Sequence, residues 1–124
     1  MDKHNIKSYE ALIVWQKSMI LVKDIYLASK NFPKEELFGL TSQMKRSAIS
    51  IPSNIAEGSL RISRKDFIRF LHMAYGSGAE IQTQIKIAEM LSFIKTPEAN
   101  QLSIKIKEIL MMLNGLLKSL KTDN

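Results

Sequence analysis

AISIPSNIAEGSLRISRKDF, residues 48–67, decides how this chain folds. A proline and a run of Ser, Asn and Glu stand inside an apolar-periodic pattern, and an arginine-rich segment follows at once. Inside a helix Pro52 removes one backbone hydrogen bond and crowds the carbonyl four residues back, a cost of about 3 kcal/mol if nothing compensates. Ser50 and Ser53 flank it, and their hydroxyls can bond nearby backbone groups. The expectation is a helix that continues through Pro52 with a kink, with a restart at Ser50 as the alternative. Further on, Ser63 and Asp66 form an S-x-x-D box before an apolar run, the signature of a new helix.

Outward from this stretch the rest of the chain reads the same way. The first helix is expected over about 8–31, started by Ser8 and stopped by Phe32-Pro33. The second is expected over about 35–60 and the third over about 64–94. Thr96-Pro97-Glu98 supplies a cap, a first-turn proline and a favourable acid for a fourth over about 97–121. The fourth helix has a 3-4 seam of Ala99, Leu102, Ile106, Ile109, Leu113, Leu116 and Leu120. The third has Phe67, Leu71, Ala74, Gly78, Ile81, Ile85 and Ala88. Such spacing packs helices at about 20°. With short connections, the pattern predicts an all-α, antiparallel up-down-up-down four-helix bundle, one domain over 1–124.

The first helix holds more apolar surface than a bundle needs. Its polar residues fall mainly at Gln16-Lys17, Lys23-Asp24 and Lys30-Asn31, leaving a narrow polar arc. Leu110, Met111, Met112 and Leu117 likewise lie off the seam of the fourth helix. Either flanking residues widen the core or a second face packs on further copies of the chain, since contiguous apolar patches mark interfaces. The expectation is a homo-oligomer, a closed ring, with faces around Val14, Leu21 and Met112 turned to neighbours.

Composition excludes several classes. The 124 residues contain no Cys, which removes disulfides, thiolate chemistry and Cys-ligated zinc. The N-terminus lacks the apolar core of a signal peptide, and no apolar run approaches the ~20 residues that span a bilayer. A cytoplasmic protein with no membrane partner is expected. The formal net charge is +6, and residues 61–95 hold half of it, with six cations against three acids. Basic balance suits an anionic partner without dictating one.

No catalytic constellation emerges. His4 and His72, the only histidines, have no partner at helical metal-site spacing. There is no nucleophile elbow and no glycine-rich phosphate loop. Gly76 and Gly78, both mid-helix, suggest close helix approach rather than a ligand cradle. In a hairpin folded near residue 62, Glu57 and Glu80 stand roughly 20 Å apart, against the 5–10 Å that paired carboxylates need. No enzyme, cofactor, metal or small-molecule substrate is expected.

Two residue sets remain. Gln43, Ser47, Ser50, Asn54, Glu57 and Arg61 step 4-3-4-3-4 along the second helix, and Arg69, Ser77, Glu80 and Gln84 answer them on the third. They are either a hydrogen-bonded seam that fixes register or a solvated face. Glu57 is expected to face Arg61, Lys65 or Arg69, and Glu80 to face Lys45 or Arg46. The second set is Arg61, Arg64, Lys65 and Arg69, with Lys45 and Arg46 on the neighbouring helix. Arginine forks suit phosphate, so RNA or DNA is a candidate partner. Pairing with acids, or solubility alone, explains the same residues.

The motifs VWQ at 14–16, FP at 32–33, FGLTSQ at 38–43, SIPSNIAEG at 50–58, Arg61, the FxxFL of Phe67, Phe70 and Leu71, and the GSxxE of Gly76, Ser77 and Glu80 resemble the 23S rRNA-intervening-sequence proteins, also called four-helix-bundle proteins. Lys45-Arg46 stands where two arginines are common in that family, and LSFI at 91–94 where a Leu-Gly-Tyr turn is common. The resemblance implies an up-down bundle assembled as a homopentameric ring, and a likeness to the basic pentameric accessory protein of diversity-generating retroelements, which works with nucleic acid. It implies no catalytic residues. Arg46, Asn54, Glu57, Arg61, Ser77 and Glu80 are the matching positions for a shared seam or surface. A non-enzymatic, basic bundle binding nucleic-acid phosphate is the leading expectation, and a scaffold that docks an enzyme or other acidic protein partner is the alternative.

Overall fold

Four α-helices account for most of the chain: α1 (Ile13–Ser29), α2 (Leu40–Ser59), α3 (Arg64–Met90) and α4 (Thr96–Thr122). The computed structural model describes residues 8–122, and those contain no strand. Consecutive helices pack side by side, and α1 also packs on α4, which closes a four-cornered bundle. The cross-links run in opposite senses along α1 and α4 (Lys17 with Glu108, Asp24 with Lys105) and along α2 and α3 (Ser47 with Gln84, Ser50 with Ser77), so both pairs are antiparallel. None of the described helices is long and apolar enough to cross a membrane.

The periodic seams form the core. Every seam residue of α3 is buried, and so is every one of α4 except Leu116, which packs on the core partly covered. Gly78 is where α3 and α4 close up, because a Cβ there would stand 2.6 Å from Leu110 Cδ2. Gly76 faces open space, so close approach explains only one of the two glycines. α2 runs through Pro52 without a restart at Ser50.

Helix ends differ from the sequence reading where tertiary contacts intervene. Ser8 does cap, accepting from the Glu10 N–H at 3.2 Å, but what it caps is a 3₁₀ turn, Tyr9–Ala11. Leu12 is then extended and α1 starts at Ile13. The break is held by Gln16 Nε2, which donates to the Glu10 carbonyl at 2.8 Å, and by Tyr9 meeting Trp15 edge-on, centroids 5.4 Å apart. α2 starts at Leu40 rather than near Glu35. Residues Lys34–Glu36 form a second 3₁₀ turn, and Glu36 Oε1 accepts from the Leu40 N–H at 3.2 Å, supplying the cap that Gly39 lacks.

At the start of α3 the expected box is present: Ser63 Oγ accepts from the Asp66 N–H at 3.0 Å. The helix ends at Met90 instead of near residue 94. Ser92 adopts φ 63°, and the N–H groups of Ser92 and Phe93 reach back to the carbonyls of Glu89 and Ala88. That is a Schellman closure with Ser at the position glycine usually fills. Phe93 follows onto Phe32, ring centroids 5.6 Å apart. α4 begins one residue earlier than expected, at Thr96, and runs to Thr122.

The excess apolar surface is smaller than the sequence suggests. Val14 (4% exposed) and Leu21 (1%) lie in the chain's own core, as do Leu110 and Leu117, and Met112 packs against it. A helical wheel cannot show that α1 touches both α2 and α4, which widens its buried arc. What stays outside includes Met19 and Tyr26 on α1, and two series that repeat every seven residues: Ile13, Ile20 and Leu27 on α1, and Ile104 and Met111 on α4.

Candidate nucleic-acid interface

The cationic residues fall into two places. Lys45 and Arg46 lie near the start of α2, and Arg61 lies past its far end. Arg61 is 15 positions on from Arg46 along the chain, roughly 22 Å at the helical rise. Lys45 Nζ sits 4.6 Å from the centre of the Tyr26 ring, and Arg46 is exposed. The remaining four, Arg61, Arg64, Lys65 and Arg69, gather at the α2–α3 turn and the first two turns of α3.

That gathering has a floor. The Arg61 and Arg69 guanidiniums both stand over the buried Phe70 ring, at 4.8 and 4.6 Å from its centre. Cation–π contact of this kind is worth about 0.5–1 kcal/mol at exposed sites. Arg61 Nη2 donates to Glu57 Oε2 at 2.6 Å, and Arg69 Nε lies 3.8 Å from Asp66 Oδ1. Among the described residues two carboxylates, Glu57 and Asp66, stand beside these four cations. Arg64 and Lys65 occupy the first turn of α3, where the helix dipole disfavours positive charge. Stability alone would place acids there.

Why α2 and α3 meet so closely here is written in Gly58. A Cβ at that position would stand 2.6 Å from Phe70 Cβ and 3.0 Å from Phe67 Cδ1. The turn above it is tied by N–H donation from Leu60 to the Glu57 carbonyl and from Arg61 to the Gly58 carbonyl. The arginines are thus mounted on a fixed corner rather than a loose loop. Phe70 is the member of this group that sequence reasoning left without a role. Its signal was an aromatic flanked by Arg69 and placed, once α2 and α3 fold back, beside Arg61.

The polar stripe divides. Ser77 Oγ donates to Ser50 Oγ at 2.8 Å, Asn54 Nδ2 donates to the Ser50 carbonyl and to Ser50 Oγ, and Gln84 Nε2 donates to Ser47 Oγ at 3.2 Å. Ser47, Ser77 and Gln84 are buried, and Gln84 Oε1 is buried without a hydrogen-bond partner among the described residues. This middle portion is a hydrogen-bonded seam between α2 and α3. Gln43, Glu57 and Glu80 are exposed. Glu57 pairs with Arg61 as expected, whereas Glu80 makes no ion pair with Lys45 or Arg46 among the described residues. Helix twist turns Glu80 outward while Ser77 and Gln84 stay inside. Among the described residues no three His, Asp or Glu side chains gather as metal ligands would.

Comparison with known proteins places this geometry. The family model described as "23S rRNA-intervening sequence protein" matches residues 10–115. A crystal structure of a protein of unknown function from the S23 ribosomal protein family of Bacteroides thetaiotaomicron superposes with a TM-score of 0.77 at 26% identity, covering 86% of this chain and 99% of that one. No curated protein matches.

Proposed function

The chain belongs to the 23S rRNA-intervening sequence protein family, and from that premise we propose that it is a non-enzymatic, basic, oligomeric bundle that binds RNA or DNA phosphate with little sequence preference. A cytoplasmic setting and a link to ribosomal RNA are part of the proposal. The observation that carries it is the gathering of Arg61, Arg64, Lys65 and Arg69 at one rigid corner, two of them at the positive end of α3. Guanidiniums already oriented over Phe70 lose little freedom when they meet phosphate. Contacts from guanidinium to phosphate carry no base readout of their own, which suits sequence-tolerant binding.

Self-association is the second part. Ile13, Ile20, Leu27, Ile104 and Met111 remain exposed on the adjoining helices α1 and α4, and an apolar strip of this kind favours packing on another copy. In a homopentameric ring the basic corners of the protomers would act together. A weak patch repeated on one particle binds far more tightly than its single copy.

Gel-shift titration of the full chain against a structured RNA, over a salt series, tests the reading. Affinity is expected to fall steeply with salt, and Arg61→Gln, Arg64→Gln and Arg69→Gln together are expected to reduce the log–log slope by roughly two to three. Absence of binding at the lowest salt, or an unchanged slope in the triple variant, overturns it.

A second reading rests on the opposite end of the bundle, where Phe38 is 93% exposed, Leu37 is exposed before α2, and Met90 and Leu91 are exposed at the end of α3. These apolar side chains lie away from the Arg61–Arg69 cluster, though near Lys45 and Arg46, and fit a scaffold that docks an enzyme or another protein. Association with a protein that survives nuclease treatment and is lost on Phe38→Ser would favour it.

A further inference from the structure

The corner that carries the arginines also carries two large aliphatic side chains that the bundle core does not use. Leu60 is 74% exposed and Ile62 65% exposed, and they bracket Arg61 just ahead of Arg64 and Lys65. Ile62 precedes the Ser63 cap, the position from which a staple residue closes onto the fourth residue of a helix, yet it leaves most of its surface in water. The backbone beneath them is tied at Leu60, Arg61 and Phe67, whose N–H groups donate to Glu57, Gly58 and Ser63 carbonyls at 3.1–3.3 Å. The two side chains are therefore held outward by a fixed turn. The Phe70 ring at this corner is buried under two guanidiniums and cannot serve as a stacking platform.

Aliphatic groups fixed among cations complement a polyanion that opens apolar faces between its charges. A continuous duplex keeps its base faces stacked and closed. Bulges, loops and junctions expose them, and these are where proteins reach RNA bases; aliphatic wedges enter nucleic acid at unstacked steps. Resting on the nucleic-acid reading above, we infer that Leu60 and Ile62 pack against unstacked bases while Arg61, Arg64, Lys65 and Arg69 hold the flanking phosphates. The ligand class is then RNA whose helix is interrupted by unpaired nucleotides.

Fluorescence anisotropy with two RNAs tests this: a fully paired hairpin, and the same hairpin carrying a bulge. The wild-type chain is expected to prefer the bulged RNA by about tenfold, the scale of burying one aliphatic side chain after unstacking is offset. Leu60→Ser with Ile62→Ser should abolish that preference while leaving affinity for the paired hairpin and its salt slope unchanged. Leu60→Met with Ile62→Met should keep it. Absence of a preference in the wild type, equal loss on both RNAs in the serine variant, or failure of the methionine variant to keep the preference overturns the inference. So does a fall in assembly mass of the serine variant, which would place Leu60 and Ile62 between copies. Phosphatidylserine vesicles form a third arm, and binding lost there with the hairpin preference intact would assign the pair to a membrane surface. If the wild type binds neither RNA at low salt, the nucleic-acid reading itself fails first, and the two failures are told apart.

Discussion

Between α2 and α3 the polar groups are short and buried, whereas between α1 and α4 they are long and half in water. Ser50 and Ser77 hydroxyls meet at 2.8 Å and Gln84 reaches Ser47 at 3.2 Å. Lys17 reaches Glu108 at 3.0 Å and Lys105 reaches Asp24 at 2.6 Å, across the outside of the other pair. Two serines can touch only if their backbones come close, so the first junction fixes axial register and separation together. Lysine stems span a wider gap, and α1 and α4 share the narrowest contact in the bundle. The charge order still selects direction: a parallel arrangement would set Lys17 by Lys105 and Asp24 by Glu108. One junction is a closed wall. The other is oriented but open, and Ile20 and Leu27 stay exposed beside it, available to another chain.

The most damaging way to break the closed wall is to wedge it at Gly58. Gly58→Ala sets a methyl 2.6 Å from Phe70 Cβ, an atom that cannot swing aside without moving α3. Alanine also gains up to about 1 kcal/mol of helix propensity, but overpacking of this kind costs 1–3 kcal/mol or more. A net loss of about 2 kcal/mol is expected in urea unfolding. Because Phe70 carries the guanidiniums of Arg61 and Arg69, the same variant should also weaken RNA binding. An unchanged unfolding midpoint would show that the corner is looser than its geometry.

A smaller break removes one hydroxyl from the seam. Ser77→Ala leaves Ser50 Oγ with Asn54 as its remaining partner, and a loss of about 1 kcal/mol is expected. Replacing both members of the Gln84–Ser47 pair with apolar residues is the sharper case, since Gln84 Oε1 is already buried without a hydrogen-bond partner among the described residues. Ser47→Ala with Gln84→Leu should be neutral or mildly stabilising. Thermal melts of the single and double variants decide whether the seam adds stability or only register.

Much of this was legible in sequence because it is local. The 3-4 steps of α3 and α4, the Ser63–Asp66 box and the stripe from Ser47 to Asn54 depend on spacing within one helix, and the structure keeps them. The extended Leu12, the delayed start of α2 and the Ser92 closure depend on partners. Tyr9 turns back on Trp15, Glu36 caps Leu40, and Phe93 docks on Phe32. None of these is visible in a helical period. The same limit explains Val14 and Leu21, whose burial requires knowing that α1 has two neighbours. It explains Phe70 as well, since Arg61 reaches it only after the chain folds back. The basic run was plain in the sequence, but its platform was not.

The open junction gives the least effect and the most direct contrast. Lys17 and Glu108 side chains are 40% and 53% exposed, so water already solvates both ends and salt screens what attraction remains. Exposed pairs of this type contribute about 0.2–1 kcal/mol. Lys17→Met is therefore expected to cost no more than about 0.5 kcal/mol at low salt and nothing measurable in molar salt. The hydroxyl lost in Ser77→Ala should matter equally at both salt concentrations, because it lies inside. Melting each variant in low and high salt separates the two junctions by this one property. If the Lys17 variant loses as much as the Ser77 variant, and loses it in high salt too, α1 and α4 are sealed as firmly as α2 and α3, and the surface left open for another copy closes with them.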